Sequence, residues 1–110
     1  MSKGEEPAVF RESSDNDKDK KRRDLKKKLK HYALRIIRLY KSLPKTGAAH
    51  VITHQLLRSG TSPGAHYAEA CRAESTADFI SKIEGALQEL EESLDWLELL
   101  IEGGFSLKIN

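Results

Sequence analysis

The sequence predicts an all-α helical bundle. Two long segments carry apolar residues at steps that alternate between four and three, which is the spacing of a helix that buries one face. A third segment between them also places apolar residues at helical intervals. Helix-breaking residues follow the first segment at Pro44 and Gly47 and the last segment at Gly103 and Gly104. The length of 110 residues, with 38% apolar and 33% charged residues, allows one domain of this kind.

The first helix is predicted over residues 24–43. Its apolar stripe consists of Leu25, Leu29, Tyr32, Ile36, Leu39 and Leu43. Pro44 ends the helix, because the residue before a proline is disfavoured in the α region. Residues 1–23 are polar and lack this periodicity, so we expect a disordered charged tail there.

The second helix is predicted over residues 48–73, and two alternatives exist for the stretch 60–64. In one, the helix breaks near Gly60 and a new helix starts with Ser62 as N-cap and Pro63 in the first turn. In the other, a single helix continues with a kink at Pro63.

Small residues recur at intervals of four in this second segment, at Gly60, Gly64 and Ala68. On a helix this spacing gives a narrow strip of low bulk, where another helix can approach closely. We interpret the strip as a packing surface rather than a ligand site.

The third helix is predicted over residues 76–102. Its apolar stripe consists of Ile83, Leu87, Leu90, Leu94, Leu97 and Ile101. Ser75 followed by Asp78 resembles a capping box, and Gly103 with Gly104 is typical of a helix C-terminus. Residues 105–110 form a stub too short for another helix. Amphipathic helices of this length in a small chain also predict self-association.

The charges are strongly segregated along the chain. Thirteen Lys or Arg and two acids lie between Lys18 and Lys45, whereas eight acids and one base lie between Asp78 and Glu102. Such asymmetry indicates either an interaction surface or two helices that attract each other.

The basic run is the strongest functional signal in the sequence, because clustered Lys and Arg bind polyanionic backbones by releasing condensed counterions. Binding to RNA or DNA would show little sequence preference and a steep salt dependence; the alternative is a solvated helix extension. The predicted nucleic-acid contacts are Lys20, Lys21, Arg22, Arg23, Lys26, Lys27, Lys28 and Lys30.

Catalytic and metal sites receive little support. His50 and His54 have a metal-compatible spacing, but no third ligand is evident. Cys71 follows His66 by five positions, which do not face each other on a helix. We therefore predict no enzyme activity, no cofactor and no metal.

Three charged residues of the second segment are predicted to form a structural polar network. Glu69 is placed to pair with Arg72 one turn on, or with Arg58 across a helix contact.

The sequence also indicates a cellular compartment. The first residues contain no apolar region typical of a secretory signal, and the single cysteine fits a reducing environment. No stretch approaches the roughly 18 apolar residues of a membrane span. We therefore expect a cytoplasmic protein without membrane contact.

Four sequence blocks resemble the four-helix bundle proteins encoded by intervening sequences of bacterial 23S ribosomal RNA genes. They are ALRIIRLYKSLPK (33–45), QLLRSGTSPGAHYAEACRA (55–73), DFISKIEGALQELEES (78–93) and WLELL (96–100). The second block is the most specific. Pro63 and His66 depart from the family pattern, which usually has Ile or Val and Asn at these positions.

The resemblance implies an antiparallel, up-and-down bundle of the four-helix type that assembles as a homopentamer. The family's fourth helix would follow Gly104, so it is predicted to be missing or truncated here. Related accessory variability proteins of diversity-generating retroelements bind a reverse transcriptase and nucleic acid.

These observations lead to a non-enzymatic, homo-oligomeric helical protein that binds nucleic acid through a basic N-terminal helix. One alternative is a protein–protein adaptor that docks a partner such as a reverse transcriptase. Another is a truncated remnant of unknown role.

Overall fold

The protein is a bundle of three helices. The computed structural model describes the backbone of residues 8–107 and the side chains of residues 16–107. The helices are α1 (Ala8–Ser42), α2 (Gly47–Cys71) and α3 (Thr76–Glu102), and no strand occurs among these residues. The predicted all-α fold with three helices is therefore confirmed. No helix in this part of the chain has the length and apolar character needed to cross a membrane.

Helix α2 lies between the other two helices and runs antiparallel to both. Gly60 of α2 packs against Ile36 of α1, and Arg58 of α2 contacts Glu89 and Glu92 of α3. In the described residues the backbones of α1 and α3 stay more than 8 Å apart, Cα to Cα. Helices α1 and α3 therefore meet through their side chains.

The core lies where side chains from all three helices converge. Its buried residues are Ile36, Leu39, Leu43, Leu56 and Leu100. Half-buried side chains packed around them are Tyr32, Ile52, Leu57, Trp96, Leu97, Phe105 and Leu107. The predicted C-terminal stub thus contributes two side chains to the core, and its residues 108–110 lie outside the described part.

Helix α1 begins well before the position that its apolar stripe predicts. Residues 8–23 are helical, whereas we expected a disordered tail over 1–23; residues 1–7 lie outside the described range. The packed part of the helix supplies the costly nucleus, so each further residue adds a hydrogen bond at small cost. Lys and Arg favour the part of this extension over residues 18–23, because they have high helix propensity.

Helix α2 continues through Pro63, so the alternative with a break near Gly60 is wrong. Three hydroxyl groups in the preceding turn donate to carbonyl oxygens four residues back: Ser59 to Gln55 at 2.9 Å, Thr61 to Leu57 at 2.7 Å and Ser62 to Arg58 at 2.6 Å. These bonds give the hydroxyl groups partners within the helix, in the turn next to Pro63, which supplies no backbone N–H.

The bounds predicted for α3 are confirmed. The Ser75 hydroxyl accepts a hydrogen bond from the Asp78 backbone N–H at 3.1 Å, as the capping pattern predicts. At the other end Gly104 has a φ of +93°, which glycine adopts without a steric penalty. The Phe105 N–H then donates to the Leu100 carbonyl at 3.0 Å, a closing bond of the Schellman type.

The six residues of the apolar stripe of α3 differ in their exposure to solvent. Ile83, Leu90 and Leu97 are half-buried, but Leu87, Leu94 and Ile101 are exposed. The expectation that all six residues form one core seam is therefore wrong. Helix α3 instead buries the neighbouring positions Ala86, Ser93 and Leu100.

Candidate nucleic-acid interface

The predicted basic contacts all lie on α1 and are all solvent-exposed. Four consecutive residues, 20–23, point in four directions because successive residues turn by about 100° around a helix. Residues 26–28 repeat this arrangement one to two turns later. The result is a rod with positive charge on all sides, not a single basic stripe.

The basic run lies partly beyond α2 and partly alongside it, since Lys26, Lys27 and Lys30 line a groove with Thr61 and Gly64 of α2. Helix α1 has 35 residues and α2 has 25, so α1 is about 15 Å longer at 1.5 Å per residue. Leu29 is the first buried side chain of α1 among the described residues, and it lies beside Gly64 of α2. Most of the basic run precedes Leu29 and faces solvent.

The lysines and arginines of α1 that the structure describes form no ion pair. Within the described part of the chain, none of them has a carboxylate oxygen within 4.0 Å; the ion pairs found there involve Arg58 and Lys82. Arg22 lines a shallow groove with the α2–α3 connection. All eight predicted contacts are nevertheless exposed to solvent, where a polyanion can reach them.

The predicted polar network has different partners from those expected. The Arg58 guanidinium donates to Glu89 at 2.9 Å and to Glu92, and both carboxylates belong to α3. The Trp96 indole N–H donates to Glu92 at 3.0 Å. Arg58 therefore ties α2 to α3, which supports a structural role.

Glu69 lies 3.4 Å from the Lys82 ammonium of α3 and not against Arg58. Arg58 and Glu69 stand eleven positions apart on the same helix, so a single helix cannot bring them together. Arg72 is exposed and shows no ion pair with any described residue. The predicted pairings of Glu69 are therefore wrong, although the residue does bridge two helices.

Cys71 is half-buried and lies one turn from the buried Tyr67. Burial raises the pKa of Tyr67, and the neighbouring Cys71 thiol adds to the increase, whereas the Arg22 guanidinium opposes it. His66 is turned toward α3, since a Cβ on Gly85 would stand 3.3 Å from its Nδ1. Cys71 therefore sits beside a phenol, not beside a base that would activate it.

The two histidines with metal-compatible spacing lie side by side on α2. The ring centroids of His50 and His54 are 5.8 Å apart, and the Tyr40 ring is 6.5 Å from that of His54. No group of three metal-ligating side chains gathers in the residues that the structure describes. The pair forms part of an aromatic contact between α1 and α2.

A hydrogen bond that the sequence does not predict links α1 and α3. The Tyr32 hydroxyl and the Ser93 hydroxyl lie 2.6 Å apart, and Ser93 also donates to the Leu90 carbonyl at 2.7 Å. The signal in the sequence is a tyrosine within one apolar stripe and a buried serine beside another. A buried polar pair of this kind fixes the register of two helices.

Comparisons with known proteins agree with this architecture. The family model described as 23S rRNA-intervening sequence protein matches residues 21–108. A crystal structure of a protein of unknown function from the S23 ribosomal protein family of Bacteroides thetaiotaomicron VPI-5482 is similar, with 42% sequence identity and a TM-score of 0.71. The similarity covers 80% of this chain and 79% of that chain. No curated protein matches the sequence. The family that the four sequence blocks predict is thus confirmed, and the chain belongs to the 23S rRNA-intervening sequence protein family.

Proposed function

We propose that this protein is a non-enzymatic, cytoplasmic, homo-oligomeric module that binds nucleic-acid backbones through the basic part of α1. The observation that carries the proposal is the exposure of all eight predicted contacts on a helix that extends beyond α2. Nine basic residues between Lys18 and Lys30 occupy about 20 Å of helix, whereas duplex DNA carries one charge per about 1.7 Å. Several ion contacts can therefore form at once.

The arrangement favours backbone contact over base recognition. The aromatic residues next to the run are His31 and Tyr32, and Tyr32 is held by Ser93 in the bundle. Stacking of bases on aromatic rings therefore has little support, and the affinity would come from phosphate contacts. In an oligomer the same helix is repeated in each subunit, which multiplies weak contacts.

The test compares two variants with the same loss of charge. The first replaces Lys20, Lys21, Lys27 and Lys28 with glutamine. The second replaces four other exposed basic residues, namely Arg35, Arg38, Lys41 and Arg72. Affinity for a labelled 20-nucleotide RNA and for a duplex DNA is measured by fluorescence anisotropy at 50 mM salt.

We expect the first variant to bind at least tenfold more weakly than the second, because the charges it loses lie in the basic run of α1. Equal affinities of the two variants would contradict the proposal, since binding would then follow net charge alone. A wild-type protein that binds neither probe would refute it directly.

A protein–protein adaptor is the second candidate function. It is supported by large apolar side chains that remain exposed on α3, most clearly Leu87, Leu94 and Ile101. A pull-down after nuclease treatment separates the two functions: a retained protein partner favours the adaptor, and loss of every partner favours nucleic-acid binding.

A further inference from the structure

Helix α3 presents an unpartnered apolar row with a strict seven-residue repeat. We call this row the open face; its members are Ile80, Leu87, Leu94 and Ile101, which are 50%, 54%, 57% and 59% exposed. It spans 22 residues, or about 33 Å of helix. Single exposed leucines are ordinary on protein surfaces, but a continuous apolar row of this length marks an interaction site.

The open face is turned away from α2. The α3 residues that contact or pair with α2 are Lys82, Glu89 and Glu92. On the helical wheel the buried positions Ala86, Ser93 and Leu100 come next, followed by the half-buried Ile83, Leu90 and Leu97. The open face lies beyond them, so a helix seated there would extend the apolar core without displacing α2.

An acidic row borders the open face. Glu84, Glu91 and Glu98 share the same seven-residue repeat and are exposed. Among the described residues none of these three carboxylates has an ion pair, whereas Glu69, Glu89 and Glu92 are paired with Lys82 or Arg58. The row corresponds to the edge position of a coiled coil, where charges select the partner helix.

Neither α1 nor α3 of a second copy complements both the open face and the acidic row. In an antiparallel pair of α3 helices, the acidic row would face the same row of the other copy and repel it. Helix α1 would complement the charge, but its apolar residues Leu29, Ile36 and Leu39 are buried in its own bundle. Its outer surface therefore has little apolar area to cover the open face.

We propose that the open face binds an amphipathic helix of another protein, one whose apolar seam is bordered by Lys or Arg. Apolar side chains of that helix pack on the open face, and its basic residues pair with Glu84, Glu91 and Glu98. The mode is that of a helix laid into a groove and read through anchors at heptad spacing. This inference deepens the adaptor function and is independent of nucleic-acid binding by α1.

The probe is a designed 22-residue helical peptide with leucine at the seam positions and lysine at the edge positions. A second peptide carries glutamate in place of each lysine. Binding of both labelled peptides to the full chain is measured by fluorescence anisotropy at 50 mM and 500 mM salt. We expect at least tenfold tighter binding of the lysine peptide at 50 mM, and a smaller difference at 500 mM because salt screens exposed charges.

Two variants locate the binding surface. The double substitution Leu87→Gln with Leu94→Gln should weaken binding of the lysine peptide at least tenfold. The matched control is Leu99→Gln with Val51→Gln, which removes two equally exposed apolar side chains elsewhere, 49% and 62% exposed. The control should bind as the wild type does. Circular dichroism and the fluorescence of Trp96 report whether each variant is folded.

A charge reversal keeps the test decisive even if the glutamine variant fails to fold. Glu91→Lys with Glu98→Lys should reverse the preference, so that the glutamate peptide binds more tightly. Equal binding of the two peptides to the wild type, or an unchanged preference after the reversal, would overturn the proposal. Self-association that Leu87→Gln with Leu94→Gln abolishes, without any peptide binding, would assign the open face to a second copy and also overturn it.

Discussion

Substitution of Gly60 by alanine probes the close contact between α1 and α2. A Cβ at this position would stand 2.8 Å from Ile36 Cγ1 and 3.0 Å from Ile36 Cγ2, whereas carbon atoms in favourable contact are about 3.5–4.0 Å apart. Ile36 is almost fully buried within the core cluster, so its side chain cannot turn away into solvent. Overpacking of a core costs about 1–3 kcal/mol, and the better helix propensity of alanine offsets about 1 kcal/mol. The free energy of unfolding should therefore fall by up to about 2 kcal/mol.

Gly64 provides the matched control because it lies one turn further along the same face of α2. A Cβ there would meet Leu29 Cβ at 3.9 Å, an ordinary van der Waals distance. Gly64→Ala should therefore raise the free energy of unfolding by about 0.5–1 kcal/mol through helix propensity alone. Urea unfolding followed by circular dichroism, at one fixed protein concentration, measures both values. A Gly60→Ala variant that is as stable as Gly64→Ala would refute the packing argument.

The steric origin of the effect can be isolated by a double-mutant cycle. Ile36→Ala removes the two γ carbons that a Cβ at Gly60 would meet most closely and leaves the Cβ of residue 36 at 3.3 Å. By itself it should cost about 2–5 kcal/mol. In that background Gly60→Ala should become neutral or stabilising. The coupling energy between the two positions should be about 1–3 kcal/mol. A coupling energy near zero would show that Ile36 is not the obstacle.

Three further predictions follow from single contacts. Ser75→Ala removes the N-cap of α3 and should lower the free energy of unfolding by about 1 kcal/mol in urea titrations, whereas an unchanged value would mean that the cap contributes nothing. Tyr32→Phe removes the bond to Ser93 and should cost about 0.5–1.5 kcal/mol; a stabilised variant would contradict the assigned pairing. Because the pKa of Tyr67 is raised above 10.0 in the folded state, its neutral phenol contributes stability that is complete below pH 10 and declines as the pH rises through the folded value. In spectrophotometric titrations, Tyr67→Phe should remove the phenolate step at the highest pH; persistence of that step would assign it to another tyrosine.

Local chemistry made α3 predictable from the sequence. Its alternating apolar steps, the Ser75 cap and the glycine pair after Glu102 act within a few residues of one another, so they determine the helix without reference to the rest of the fold. The predicted bounds therefore agree with the structure. The same reasoning identified the strip at Gly60 and Gly64, which faces Ile36 and Leu29 of α1.

The wrong predictions concern positions where two local signals compete, or where packing against another helix determines the outcome. Ser62 and Pro63 are compatible with either a helix start or a helix interior, and the packing of both halves of α2 selects the interior. The N-terminal extension of α1 has no apolar stripe, so periodicity does not predict it, and helix propensity favours only its basic part over residues 18–23. Exposure of Leu87 and Leu94 depends on which helix lies opposite them, which a stripe in the sequence does not specify.

The candidate site was predictable in composition but not in shape. Clustered lysines indicate affinity for a polyanion from the sequence alone, and the structure adds that the cluster is exposed around α1. The partners of Arg58 were not predictable, because Glu89 and Glu92 lie more than thirty residues away in the chain. Only the antiparallel packing of α2 on α3 brings these groups together.

The salt dependence of nucleic-acid binding tests the central claim most directly, namely that the chain acts through the charged surface of α1. The dissociation constant for a duplex DNA is measured between 50 and 300 mM salt. If five to eight of the predicted contacts meet phosphates, the logarithm of the association constant should fall against the logarithm of salt with a slope of about −5 to −7. Replacing Lys20, Lys21, Lys27 and Lys28 with glutamine should make the slope shallower by about 3 to 4. A wild-type slope shallower than about −1, or a slope that these substitutions leave unchanged, would contradict the account.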